Sequence, residues 1–264
     1  MNLPALFWAE LQREAILLVR HPFELVSRLF WNLGFALMIF FGFQSVGSGL
    51  PGFQEGQMGR MLGLLITYIA INGISNGVDL LLREAQTGTL EQAALSPPPL
   101  VVVLLMRDLA SYIEMLARFA LVLAIAVGIT GVQFHLDVPG MALLLTLMYL
   151  GMEGLGLMLA AVALLYKRIV TLNQLAVMLV FGLAILPLEG LPGWMSAFVA
   201  HFPFTQALQL LRDLAVKGVP LVDLWASGRI LSLSLHAVLF LGIGALVFHA
   251  AERKARDWGT LNQY

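Results

Sequence analysis

Residues Arg83 to Pro99 read REAQTGTLEQAALSPPP, a polar island between two hydrophobic runs. Thr89 followed by Gln92 fits a capping box, in which the hydroxyl accepts from the N3 amide and the glutamine reaches back to the cap. A helix therefore starts at Leu90. Ser96 and the prolines Pro97, Pro98 and Pro99 end it, because the residue before a proline is pushed out of the α region. The product is a helix of about two turns, far short of the ~20 residues a membrane span needs. Such a helix is either a connector between spans or a docking knob for a partner outside the membrane.

Composition sets the surroundings of that island. The 264 residues are 59% hydrophobic and only 12% charged, with a mean hydropathy of +0.87. Soluble domains carry roughly 25% charged residues, so the chain is read as an all-α polytopic membrane protein. A net charge of −1 and the lack of any Lys/Arg-rich run argue against nucleic acid as a partner. With no cysteine, disulfides and thiolate metal sites are excluded. The N-terminus lacks a basic start, a short apolar core and a cleavage site in that order, so no removable signal peptide is expected.

Outward from the island, six spans are expected, near residues 25–46, 61–82, 111–131, 140–165, 169–188 and 229–250. Ahead of them, residues 1–22 are expected to form either an amphipathic helix for the membrane interface or an ordinary start to the first span. Trp8, Leu11, Ala15, Leu18 and Val19 make its apolar stripe, with Glu10, Gln12, Arg13 and Glu14 largely off it. His21-Pro22 breaks this helix, and a Gly-rich loop runs from Gly47 to Gly59. In the second span Asn72, Asn76 and Asp79 share one helical face. They either hydrogen-bond to neighbouring helices or line a water-filled path.

The third span has a lead-in from Leu100, with Glu114 and Arg118 paired at i, i+4 near the membrane boundary. Glu153 is the oddest residue, an acid near the middle of the fourth span among Gly151, Gly154 and Gly156. A mid-bilayer acid costs ~2.5–3.5 kcal/mol on insertion scales, so it must be partnered, protonated or facing water. Helix packing, pathway lining and ion or proton coupling all remain open for it. Residues 190–218 hold two short helices separated by Pro203, the second with Thr205 as N-cap and Gly218 and Pro220 as its stop. Leu208, Leu210, Leu211, Leu214 and Ala215 give the second a broad apolar face. The pair either dips into the outer leaflet and returns or lies flat on the surface.

Of the 15 Lys+Arg, 11 fall inside when both termini and the island are cytoplasmic, and only Arg60, Arg212, Lys217 and Arg229 fall outside. The positive-inside rule selects that orientation.

Glu84, the Gly88–Glu91 run Gly-Thr-Leu-Glu and the Ser96-Pro97 pair resemble the first cytoplasmic loop of type-2 ABC transporter permeases. Pro203-Phe204-Thr205 leading to Leu211-Arg212, and the ending Arg256-x-x-Gly259-x-Leu261, are similar to other segments of that family. The resemblance implies one permease domain over 1–264, in a cell (inner) membrane. It implies that 84–96 is a coupling helix region on which Glu84, Gly88, Thr89, Leu90 and Glu91 meet a separate ATPase subunit. It also favours an interface helix at the N-terminus and re-entrant helices before the last span. Two ATPase subunits, carrying the ATP and Mg, and a second permease copy or paralogue are the implied partners.

The chain itself has no Walker A loop, since none of Lys167, Lys217 and Lys254 follows glycine. No His-Glu-x-x-His or Gly-x-Ser-x-Gly occurs, and His135 and His201 belong to outer segments, read as solvated. The resulting expectation is the permease of an ATP-driven exporter for an amphiphilic or hydrophobic cargo. An ATP-independent transporter or channel using Glu153 is the alternative, and an intramembrane enzyme without a visible nucleophile–base pair is the third.

Overall fold

Every element among the described residues is a helix, as a backbone that must satisfy its own hydrogen bonds in lipid requires. The structure is a computed structural model, and it describes residues 3–47, 53–86, 99–166, 170–185 and 192–257. Ten helices follow one another: α1 (Leu3–Arg20), α2 (Pro22–Gly47), α3 (Phe53–Gln86), α4 (Leu100–Thr130), α5 (Val138–Tyr166), α6 (Val170–Ile185), α7 (Gly193–Ala200), α8 (Pro203–Ala215), α9 (Leu221–Ala226) and α10 (Arg229–Asp257). Four are long and apolar enough to cross a membrane: Met58–Glu84 within α3, α4, α5 and α10. The 26-residue α2 and the shorter apolar stretch Thr171–Ala184 in α6 stand where the first and fifth spans were expected.

Chain chemistry explains most of the punctuation. His21 alone separates α1 from α2, and Pro22 opens α2 where a missing N–H costs nothing. Gly131 ends α4 in the left-handed conformation (φ 69°) and donates its N–H to the Val127 carbonyl. Three boundaries differ from the sequence reading. The loop expected from Gly47 to Gly59 is partly helix, since α3 begins at Phe53, and α3 carries on through Arg83 and Glu84 to Gln86. The lead-in from Leu100 and the third span are one continuous helix. Thr205 is not an N-cap: Phe202 occupies that position and Pro203 is the first residue of α8, its ring pre-set for a helical start. The short α9 was not anticipated. The coupling helix expected near 90–95 lies outside the described residues, with Gly88, Thr89, Leu90 and Glu91.

Helix α5 is the spine, packed mainly on α10 and α3 and also on α8. A Cβ on Gly154 would run into the Phe240 backbone carbonyl, and one on Gly244 into that of Gly154. Glycine at both positions is what lets α5 and α10 cross backbone to backbone. Two apolar layers result. One joins Ile66, Met148, Tyr149, Phe204 and Leu211 from α3, α5 and α8. The other joins Leu81, Leu104, Leu164 and Phe248, where the end of α3 and the start of α4 meet the ends of α5 and α10. The roots of the island, Gln86 and Leu100, therefore belong to this second end.

At the opposite end α8 lays its apolar face into the bundle. Leu208, Leu210, Leu211, Leu214 and Ala215 are all buried, as their spacing predicts. The four basic residues assigned to that end gather there. Arg212 Nε donates to the Gly59 carbonyl at 3.3 Å, with Arg60 close enough to act on it. Asp213 takes Lys217 at 2.8 Å and Arg229 at 2.6 Å.

Candidate functional site

Helices α1 to α4 enclose a charged cavity of about 580 Å³ at the end where α3 stops and α4 starts. Arg13 and His21 reach it from the α1 end, Glu24 and Arg28 from α2, Asn72, Asn76 and Asp79 from α3, and Arg107, Asp108, Glu114 and Arg118 from α4. Arg107 ties three helices together. Its Nε donates to Glu10 of α1 at 3.0 Å and its Nη1 to Glu84 of α3 at 2.5 Å. All three side chains are at least three-quarters buried, so these charge-assisted bonds work in a weakly screened setting.

This reverses part of the expectation for α1. Glu10 is buried, while Trp8 and Val19 of the apolar stripe are 62% and 82% exposed. Glu10 and Glu14 turn toward the bundle and Trp8, Ala15 and Val19 outward, while Leu11 and Leu18 lie partly buried between them.

Behind the cavity sits a polar ladder. Asn76 Nδ2 donates to Ser111 Oγ at 3.3 Å and to the Tyr149 hydroxyl at 3.4 Å. Tyr149 in turn donates to the Asp108 carbonyl at 3.4 Å and stacks on Tyr112 with ring centroids 4.2 Å apart. Asp108 is 3% exposed and Glu153 1%. Their carboxyls converge over Gly77, where a Cβ would lie 3.6 Å from Asp108 Oδ2 and 3.7 Å from Glu153 Oε1. Apart from the facing carboxyl, no described group offers those oxygens a hydrogen bond. Two buried carboxyls in contact are tolerated when they share a proton or when a cation replaces one.

A second, apolar chamber of about 280 Å³ adjoins the charged cavity. Trp31 and Phe35 of α2, Leu65 and Tyr68 of α3, Val122 of α4 and Phe181 of α6 shape it. Met115 and Arg118 line both spaces. At the far end, burial pushes the Asp213 carboxyl upward, but hydrogen bonds from Lys217 and Arg229 outweigh it and hold the group below the usual aspartate value.

A family model described as ABC-2 type transporter matches residues 5–215. The chain belongs to the ABC-2 type transporter family. It is a multi-pass membrane protein and the transport subunit of an ABC transporter, and such permeases pair with ABC ATPase partners. No curated protein matches the chain.

Of the pathway residues expected in this ABC-2 permease, Asn72, Asn76 and Asp79 line the cavity. Asn72 turns its amide back onto the Tyr68 carbonyl at 2.7 Å. Glu153 does not reach the cavity and touches it only through Asp108. Glu84, the one described member of the expected ATPase-contact set, is 16% exposed and turned onto Arg107. The sequence reading missed Glu10, Arg107, Asp108, Arg118 and Tyr149 as site residues. Glu10 was noted only as part of the polar side of α1 and Arg118 only as the partner of Glu114, while Tyr149 stands four residues before Glu153 on the same helical face.

Proposed function

We propose that this ABC-2 permease exports an amphiphilic or hydrophobic cargo from the cytoplasm, driven by two ATPase subunits that carry the ATP and Mg. One observation carries the reading: the cavity lies between the roots of the island and the bundle core, while α8 plugs the other end with leucines. A cargo can enter beside the coupling segment and leave only when the plug moves. The proposal takes α2, α3, α4, α5, α6 and α10 as six spans, with both termini inside. Helices α7 and α8 are its re-entrant pair, and a second copy or paralogue covers part of the exposed α10 face.

Glu84 holds the root of the island through Arg107 and Glu10, so a push on Thr89, Leu90 and Glu91 would move α1, α3 and α4 together. Closure of the ATPase dimer then biases the permease between two states. The test is Leu90→Asp combined with Glu91→Lys, reconstituted with the partner ATPase in vesicles. Cargo-stimulated ATP hydrolysis should vanish while the permease stays monodisperse. Unchanged stimulation would refute the coupling assignment.

The buried Asp108–Glu153 contact favours a second reading, transport coupled to protons or ions without an ATPase. Uptake or efflux that follows an imposed pH gradient in vesicles holding the permease alone would establish it and displace the first.

A further inference from the structure

We propose that Arg118 anchors the acidic head group of a single-chain amphiphile whose tail occupies the apolar chamber. The proposal rests on the exporter reading in taking that occupant to be cargo.

Arg118 lies well inside α4 and is 6% exposed. Its Nη2 donates to Glu114 at 2.7 Å, and the Tyr68 ring lies under it with the centroid 5.9 Å away. Its Nε and Nη1 have no hydrogen-bond acceptor among the described residues. A guanidinium has five N–H donors and no way to shed its charge, and buried charged donors left unpaired are strongly disfavoured. The position of these donors says what they await. Arg118 stands at the junction of the two spaces, with charge on one side and Trp31, Phe35, Val122 and Phe181 on the other.

In the chamber the other polar side chains are few, and Thr67 already donates to the Gly63 carbonyl at 2.6 Å. A neutral hydrocarbon would fill the space and leave the donors unpaired. A cationic head would leave the same donors of Arg118 unpaired and meet its charge. A carboxylate or phosphate accepts from a free donor of Arg118, while Glu114 holds the guanidinium through Nη2. The chamber's 280 Å³ falls just below the roughly 300–1,000 Å³ of drug-sized sites, which suits one chain rather than a two-chain lipid.

The experiment uses a variant that keeps Trp31 as its only tryptophan, in phosphatidylcholine nanodiscs. The probes are 11-bromoundecanoic acid and 11-bromoundecanol, whose bromine quenches the Trp31 fluorescence. The acid should quench at a concentration at least about tenfold below the alcohol. Arg118→Gln should erase that preference, and Val122→Phe should weaken both probes. Equal quenching by acid and alcohol overturns the proposal, as does a preference that survives Arg118→Gln. Should Arg118→Gln fail to fold, the acid–alcohol comparison in the parent and in Val122→Phe still decides. Loss of the acid's quenching in discs containing phosphatidylglycerol would assign the site to a bilayer lipid and overturn the cargo assignment. Acid that binds as expected yet leaves the ATPase activity of the full complex unmoved sinks the exporter reading and keeps the site. Stimulation by other amphiphiles without any head-group preference does the reverse.

Discussion

The two ends of this bundle are held by opposite means. Where α3 ends and α4 begins, helices are kept apart around a cavity and joined by ion pairs, with Arg107 bridging Glu10 and Glu84. Where α8 lies, helices are joined by buried leucines, and Asp213 carries ion pairs to Lys217 and Arg229. Apolar packing is short-ranged and intolerant of gaps. Charged side chains reach farther and can keep a partner as helices shift. The proposed transport cycle therefore asks the first end to change shape around a guest and the second to open and shut.

The largest effect should come from disturbing the spine that both ends share. Gly154→Leu or Gly244→Leu forces side-chain atoms into the facing backbone, a strain of about 3 kcal/mol or more. Folded, monodisperse permease should be lost from detergent extracts, and its survival would show that α5 and α10 do not cross as described. Next, Leu211→Ala opens a hole in the sealed end, where Leu211 is 0% exposed. It should cost about 2–4 kcal/mol, read as a fall in thermal stability.

Arg107→Met probes the charged end. It removes the cation that Glu10 and Glu84 share, at a cost of about 2 kcal/mol once their partial exposure is allowed for. Its particular sign is release of α1, measured as a longer distance between spin labels on α1 and α4. An unchanged distance would mean that the apolar contacts of α1 hold it.

The smallest effect concerns pH at the α8 end. Asp213 is held below its ordinary value, so its contribution is complete above about pH 4 and is lost as pH falls through the lower, folded-state value. Asp213→Asn should abolish that acid-limb loss, a difference of under about 1 kcal/mol in a pH series of melting curves.

Much of the fold was legible because lipid leaves the backbone few options. Runs of apolar residues of the right length lie within α3, α4, α5 and α10, although α3 and α4 begin eight and eleven residues ahead of the expected bounds, and the five apolar positions of α8 all went inside. Boundaries failed where polar residues entered a helix. Arg83, Glu84, Arg107 and Asp108 read as edges of spans, yet α3 and α4 run through them, because α1 lies alongside and supplies Glu10 as counter-charge. Glu114 and Arg118 were read as a boundary pair. The pairing holds, at 2.7 Å, but Arg118 is buried between two cavities, with Glu114 lining the charged one.

The sequence by itself determined that this chain is helical, crosses a membrane and has no Walker A site, since these follow from composition, run length and motif. Tertiary structure alone decided that Asp108 meets Glu153, that Arg107 fastens α1, and that Arg118 stands between a charged and an apolar space. The reason is physical. Hydrophobic periodicity states which face of a helix avoids water, and it says nothing of which buried polar group on a distant helix will answer another.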